Sequence, residues 1–269
     1  MTTPCGAGIG SACLSSNAES IRDCEDRAFR AWPGEGTKEL SGWVLRHSAV
    51  AGTRRTNSAY PVRHTEEADL DGLVRSVETF YAEHDLPARF QLSPASVPAE
   101  LDGFLDVRGY RKDAPTVVQW ANTNDVSEKT PPQPNDHVVI CDEMPDDWAH
   151  TYRQGLVSDE DLDARLSVIA RIRQPKAFAR VISEDQTISI GLGVYDSGWA
   201  GVFCMFTRLA ARRRGAAHQV LGALAHWTLA QGGPYMYLQV EEENSVARTF
   251  YDGRGFYHAY GYHYRTQQQ

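Results

Sequence analysis

The chain has 269 residues, 42% hydrophobic and 23% charged, with a formal net charge of -8. That length predicts two domains, and no run approaches the ~18 consecutive apolar residues of a membrane span. An acidic chain repels a phosphate backbone, which argues against nucleic acid as the main partner and favours an amine.

Residues 1–22 are small and polar, with Gly6, Gly8 and Gly10 but no strand ahead of them, and are predicted to be a flexible tail. Runs at 41–45 and 58–62 bracket a Gly/Arg/Thr-rich turn and read as a hairpin. Over 65–84, Leu70, Leu73, Val74, Val77, Phe80 and Tyr81 recur at helical spacing. Short strands near 88–92 and 115–120 flank a helix near 99–108. The stretch 123–136 holds three prolines and only Val126 as an apolar residue, so it is predicted to be a linker.

After it come a strand at 138–141, helices near 146–155 and 160–173, and strands at 177–183, 187–195 and 199–207. The last two are joined by the turn Asp196-Ser197-Gly198. A helix over 215–230 buries Val220, Leu221, Leu224 and Trp227, and Gly232-Gly233-Pro234 stops it. A strand at 235–240, a helix at 244–254 and a strand at 256–265 complete the chain. At a constant offset, Phe104, Asp106, Arg108 and Gly109 match Phe250, Asp252, Arg254 and Gly255, with Tyr110 opposite Phe256. The pattern predicts two related halves.

Chemistry concentrates where the strand at 199–207 meets the following helix. A helix start presents unpaired N–H groups and the positive end of its dipole, which together bind phosphate. Here the turn is Arg212-Arg213-Arg214-Gly215-Ala216-Ala217, in which small residues let backbone approach an anion and arginines add charge. From the residues alone, this is either an anion site or an exposed basic loop.

That loop fits the signature Q/R-x-x-G-x-G/A of the GNAT superfamily of N-acyltransferases. Asn244, Ala247, Phe250, Tyr251, Gly255 and Phe256 occupy the places of the family's next block. The chain over about 136–265 therefore resembles a GNAT domain. The resemblance implies an α/β (α+β) fold of two GNAT-like domains, each a mixed, mostly antiparallel sheet flanked by helices. Residues 23–122 would form a degenerate copy and 137–269 the acyl-CoA-binding one.

It further implies acetyl-CoA or another acyl-CoA as co-substrate. The pantetheine arm would pair with the main chain at Met205, Phe206 and Thr207 and bond Asn244, which reads equally as a helix N-cap. The pyrophosphate would lie on Arg212, Arg213, Arg214, Gly215, Ala216 and Ala217. Tyr251 becomes the candidate acid for the departing thiolate, with an aromatic packing role as the alternative. Glu241 leads Glu242 and Glu243 as candidate base, because strand alternation sends it to the side of Tyr237 and Gln239. His218 and His226 read as packing or surface residues. In the first half Leu105 stands opposite Tyr251 and Pro98 opposite Asn244. Arg54-Arg55-Thr56-Asn57-Ser58 is similar to an N-terminal motif of some two-domain bacterial GNAT proteins.

The expected activity is transfer of an acetyl or other short acyl group to a primary amine. Asp142, Glu143, Asp146, Asp147, Asp159, Glu160, Asp161 and Asp163 crowd 142–163, as a solvated helical face or as a rim for a small cationic acceptor. A protein lysine or N-terminus, and a non-catalytic acyl-CoA-binding module, are the alternatives. Five cysteines (Cys5, Cys13, Cys24, Cys141 and Cys204) form no CxxC pair, so neither a metal site nor a disulfide framework is expected. The first basic residue is Arg22, which gives no signal-peptide n-region and predicts a cytoplasmic protein; a monomer or homodimer is expected.

Overall fold

A computed structural model describes residues 16–49, 53–63, 69–133, 137–156 and 158–268. The chain opens with α1 (Ala18–Ala31), so the predicted tail already turns helical within its last residues, while 1–15 lie outside the described region. The Asn17 side chain caps α1 by accepting from the Ser20 N–H at 2.9 Å. Its inner face buries Ile21, Cys24, Ala28 and Ala31, and also Glu25. The Glu25 carboxylate accepts from Gln91 and from the Tyr260 hydroxyl, both at 2.5 Å.

The first half continues with β1 (Gly36–Leu40), β2 (Trp43–His47), a 3₁₀ turn at Arg54–Thr56, β3 (Ala59–Pro61) and α2 (Leu70–Ala82). Then come β4 (Arg89–Leu92), α3 (Leu101–Val107) and β5 (Arg111–Asn122). The expected linker is instead helical over Thr123–Lys129 (α4). Asn122 caps it, accepting from the Asn124 N–H at 2.9 Å. Thr123 and Val126 are fully buried, and its Thr130 end packs against Gly222. Docking of that single apolar residue outweighs the polar composition; residues 134–136 lie outside the described region.

The second half comprises β6 (His137–Cys141), α5 (Asp146–Arg153), α6 (Asp159–Arg171), β7 (Lys176–Ser183), β8 (Gln186–Asp196) and β9 (Trp199–Thr207). It ends with α7 (Ala216–Ala230), β10 (Tyr235–Glu241), α8 (Ser245–Asp252) and β11 (Tyr257–Thr266). The strands form one sheet in the order β1-β2-β3-β4-β11-β5-β10-β9-β8-β7-β6. Among the described residues only β3–β4 and β9–β10 pair in parallel. The fold is the expected mixed α/β, mostly antiparallel architecture, but its two sheets are continuous.

The internal repeat extends to element boundaries in the later part of each half. Leu70 and Ala216, Arg89 and Tyr235, and Arg111 and Tyr257, which open α2/α7, β4/β10 and β5/β11, are each 146 positions apart. Gly109 and Gly255 both adopt left-handed backbone, at φ 81° and 92°. In each copy the next residue donates back into the helix, Tyr110 N–H to the Leu105 carbonyl and Phe256 N–H to that of Tyr251.

The closing strands are exchanged. β5 pairs with β10 from Tyr235↔Asn122 to Glu241↔Thr116, while β11 inserts between β4 and β5, with Thr266 opposite Arg89. One layer of helices, α1 with α5 and α6, shares a core with Phe178, Leu192, Tyr237 and Tyr260. On the other face Val220, Leu221 and Leu224 of α7, all fully buried, pack with Met236, Leu238 and Tyr251. Each such side chain stabilises the fold by roughly 1.5–3 kcal/mol.

Candidate active site

The site begins where two strands part. β9 and β10 are paired from Tyr235↔Trp199 to Leu238↔Val202 and no further. Opposite, Ile190 of β8 faces Phe206 and Leu192 faces Phe203, so β9 carries one extra residue. Cys204 lies in this bulge with φ 52°, and the bulge swings β9 away while β10 stays on β5. The gap opens into a cavity of about 920 Å³. Burial pushes the Cys204 thiol up to about 11, which leaves it a poor nucleophile.

The structure brings Met205, Phe206, Glu241, Asn244 and Tyr251 onto one wall of that cavity. Thr207 and Arg212 to Ala217 lie off the wall, further along the chain. The loop is nonetheless tied to the strand: Arg212 Nε donates to the Thr207 carbonyl at 3.3 Å, and the Thr207 and Ser189 hydroxyls are 2.8 Å apart. Arg213 and Gly215 adopt φ of 61° and 87°, which turns successive N–H groups into a concave anion-binding shape. No side chain caps α7 among the described residues, and its first internal bond runs from the Gln219 N–H to the Gly215 carbonyl. The Arg212 N–H is taken by the Leu209 carbonyl at 3.3 Å, so the N–H groups open to an anion are those that follow it, with the Arg212, Arg213 and Arg214 side chains exposed around them. The positive φ is what favours glycine at 215, since a Cβ there would meet only the flexible end of the Gln133 side chain. These residues fit a pyrophosphate.

Tyr251 is buried between Phe250 and Phe256, with ring centroids at 5.1 and 5.7 Å. It both packs and faces the cavity, so the two readings of this residue coexist. Burial raises its phenol well above the ordinary value, making it a proton holder rather than a base at neutral pH. Asn244 caps α8, its Oδ1 accepting from the Ala247 N–H at 3.1 Å, which leaves its amide N–H groups for a ligand. Glu241 is exposed at the end of β10, where the Asn244 N–H donates to its carbonyl at 3.0 Å. Glu242 and Glu243 are exposed away from the wall. His226 meets Ser127 of α4 at 3.2 Å, and His218 meets the Pro131 carbonyl at 3.2 Å, so both pack away from the cavity.

Sequence reasoning left the residues of the opposite wall unplaced. Thr53, Arg54, Arg55, Asn57 and Arg89 of the first half line the cavity, together with Trp32 after α1 and Tyr152 and Arg165 of α5 and α6. The Arg54-Arg55-Thr56-Asn57-Ser58 motif was the available signal, but nothing local shows what it faces. The acidic run at 142–163 points elsewhere. Asp147 pairs with Arg180, Asp159 with Arg153 at 2.6 Å and Asp161 with Arg165 at 3.0 Å; none of its eight acids lines the cavity. Among the described residues no group of three or more His, Cys, Asp or Glu could hold a metal, and no helix is long and apolar enough to cross a membrane.

Comparison with known proteins places this geometry. Residues 18–265 match the family described as probable histone acetyltransferase Rv0428c C-terminal. The chain is 26% identical over 252 residues to the uncharacterized N-acetyltransferase YobR of Bacillus subtilis (strain 168), covering 93% of this chain and 100% of that one. It is 25% identical over 229 residues to the probable histone acetyltransferase Rv0428c of Mycobacterium tuberculosis, covering 83% and 67%. Among solved structures, a GCN5-related N-acetyltransferase from Kribbella flavida superposes with a TM-score of 0.66 at 12% identity, over 96% and 97% of the two chains. A tandem GNAT protein from the clavulanic acid biosynthesis pathway superposes with 0.63 at 12%, over 91% and 87%. The splayed strands, the loop at the start of α7 and the match over 18–265 agree, and the chain belongs to the Rv0428c C-terminal family of GNAT-type N-acetyltransferases.

Proposed function

We propose that this protein transfers an acetyl group from acetyl-CoA to a primary amine of a small acceptor. The observation that carries the reading is the gap between β9 and β10, with Tyr251 on its wall and an uncapped helix start just beyond β9. Acetyl-CoA, when bound, supplies a thioester carbonyl open to attack by an amine. Met205 offers main-chain groups that β10 leaves unpaired, for the pantetheine arm and for the carbonyl oxygen as it gains charge, while the carbonyl of the neighbouring Phe206 already accepts from Ser189 Oγ at 3.1 Å. Asn244 steadies the arm, and Arg212 to Ala217 hold the pyrophosphate.

As the C–N bond forms and the C–S bond breaks, Tyr251 gives its proton to the sulfur. The amine's surplus proton leaves towards Glu241 or through water. Positioned acid–base help of this kind is worth ~10²–10⁴ in rate.

A protein lysine is the acceptor class that the name of the Mycobacterium tuberculosis relative brings to mind. Residues of both halves and of α5 and α6 line this half-open cavity, whose volume of about 920 Å³ favours a small molecule. The acidic run does not support a cationic acceptor, because its carboxylates lie off the wall and four arginines lie on it.

The test incubates the protein with acetyl-CoA and a broad panel of amines, following free-thiol release and product mass. Thiol release with a small amine that Tyr251→Phe depresses about 10²-fold or more is the expected result. Binding of acetyl-CoA with no thiol released from any amine would instead identify a non-catalytic acyl-CoA module.

A further inference from the structure

Of the cavity arginines Arg55 and Arg89 make no ion pair among the described residues, and of these two only Arg55 also keeps a buried Nε without a hydrogen-bond partner. Arg54 pairs with Asp113 at 3.6 Å and Arg165 with Asp161 at 3.0 Å, while Arg89 donates to Thr266 at 3.1 Å and to the Asn57 carbonyl at 3.2 Å. Among the described residues Arg55 makes no ion pair, and its Nε is buried without a hydrogen-bond partner. Its guanidinium lies 6.0 Å from the centre of the Phe203 ring and contacts the Tyr262 hydroxyl. Glu25 acts on it only from a distance. Both Glu25 oxygens are already engaged by Tyr260 and Gln91, and burial pushes this carboxyl towards its neutral form.

The position of Arg55 is firmly set. The 3₁₀ turn that carries it is closed by Thr53, whose side chain accepts from the Thr56 N–H at 3.3 Å. Asn57 Oδ1 accepts from the Ser48 N–H at 2.7 Å. Phe203 is the first β9 residue past the last pairing with β10, so Arg55 overlooks the point where the cleft opens. A second orphan belongs to Gln239, another residue of the cavity wall: its Nε2 is buried without a partner, while its Oε1 accepts from Tyr262 at 3.4 Å. Tyr262 thus joins two unsatisfied donors. A fixed guanidinium and an amide N–H call for a group that only accepts, carries negative charge and matches a planar fork.

We propose that the acceptor amine carries a carboxylate, as in an amino acid, and that Arg55 with Gln239 is its recognition site. The proposal rests on the acyl-transfer reading above. The first half, which lacks the loop and the tyrosine, then selects the acceptor.

The experiment compares proteinogenic amino acids with their carboxamides as acceptors for acetyl-CoA, in the full chain and in Arg55→Met and Arg55→Lys. Acylation of at least one amino acid at about tenfold or more higher kcat/KM than its carboxamide is expected. Arg55→Met should lower that value about 10²-fold and erase the preference. Arg55→Lys, which keeps the charge but loses the fork, should fall between. Unchanged CoA affinity and melting temperature would show that each variant is folded.

Equal turnover of acid and carboxamide, or an equal loss of both in Arg55→Met, would overturn the proposal and leave acyl transfer standing. A parallel arm measures calorimetric binding of the N-acetyl amino acids and their amides in the presence of CoA. If no amine is acylated but the acids still bind in an Arg55-dependent way, acyl transfer fails and the carboxylate site stands. A preference for succinyl-CoA over acetyl-CoA with carboxylate-free amines, lost in Arg55→Met, would assign the carboxylate to the donor and overturn its assignment to the acceptor.

Discussion

Asp69 and Gly215 hold the same place in the two halves, 146 positions apart, each just ahead of a helix that packs on the sheet. Asp69 fills its own helix start, its carboxylate accepting from the Gly72 N–H at 3.0 Å. Gly215 fills nothing, and α7 opens with uncapped N–H groups and three arginines ahead of it. In sequence, Arg212 and Arg213 stand opposite Glu66 and Glu67, so the charge is reversed as well. One half satisfies its helix dipole internally and gains stability. The other leaves it open, as the proposed pyrophosphate site requires. The contrast extends to the next helix, where buried Leu105 occupies the place of Tyr251.

Gly215→Asp would impose the first half's arrangement on the second and should have the largest effect. A self-cap combined with a carboxylate facing the pyrophosphate is expected to abolish saturable CoA binding in calorimetry. Retained micromolar affinity would remove this loop from the cofactor site.

Tyr251→Leu copies the other substitution between the halves. It should lower kcat by ~10²–10⁴ with CoA affinity little changed, as read by stopped thiol assays beside calorimetry. Because burial holds the phenol above its ordinary value of about 10, the wild-type kcat should show no decline assignable to this group up to about pH 10. A fall with an apparent pKa near 8 that disappears in Tyr251→Phe would contradict it.

Arg265 tests what holds the halves together. From β11 it donates to Asp102 at 2.7 Å and Asp106 at 2.5 Å of α3, and to the Tyr110 carbonyl at 3.1 Å. Arg265→Met should cost about 1–3 kcal/mol in denaturant unfolding, the lower end being favoured because both carboxylates are partly in solvent. Burial alone would raise the Asp102 carboxyl, but bonds from Arg265 and His263 outweigh it and hold it below its ordinary value. Its contribution is therefore complete above the unfolded value of about 3.9 and is lost as pH falls through the lower folded value. The wild type's advantage over Arg265→Met should shrink across that acid range, and a pH-independent gap would refute the assignment.

The smallest effect belongs to Asp69→Ala, about 1 kcal/mol from the lost cap, with catalysis untouched. A change in acetyl transfer there would mean that the first half's helix start communicates with the site.

Legibility followed locality. The loop, α7, β10, α8 and β11 were readable because their signals lie within a few residues of the structures they build, and the offset between Gly109 and Gly255 carried the duplication. Helix α1 was hidden by its polar composition and by Glu25, whose partners Gln91 and Tyr260 lie 66 and 235 positions away. Helix α4 was hidden by three prolines and by resting on Val126 alone. The cavity's second wall was unreadable for a related reason: Arg55 meets Phe203 and Tyr262 only because the sheet folds the first half against the second.

The exchanged strands also govern how the chain can be made. On the ribosome, β4 emerges with one edge open, and the strand that covers it, β11, is synthesised more than 150 residues later. The nascent first half must wait with an unpaired edge, a state prone to wrong pairing with other chains. Pairing across so long a loop is also intrinsically slow. Residues that discourage pairing along that waiting edge, such as Arg89, then protect the newborn chain as well as line the finished cavity.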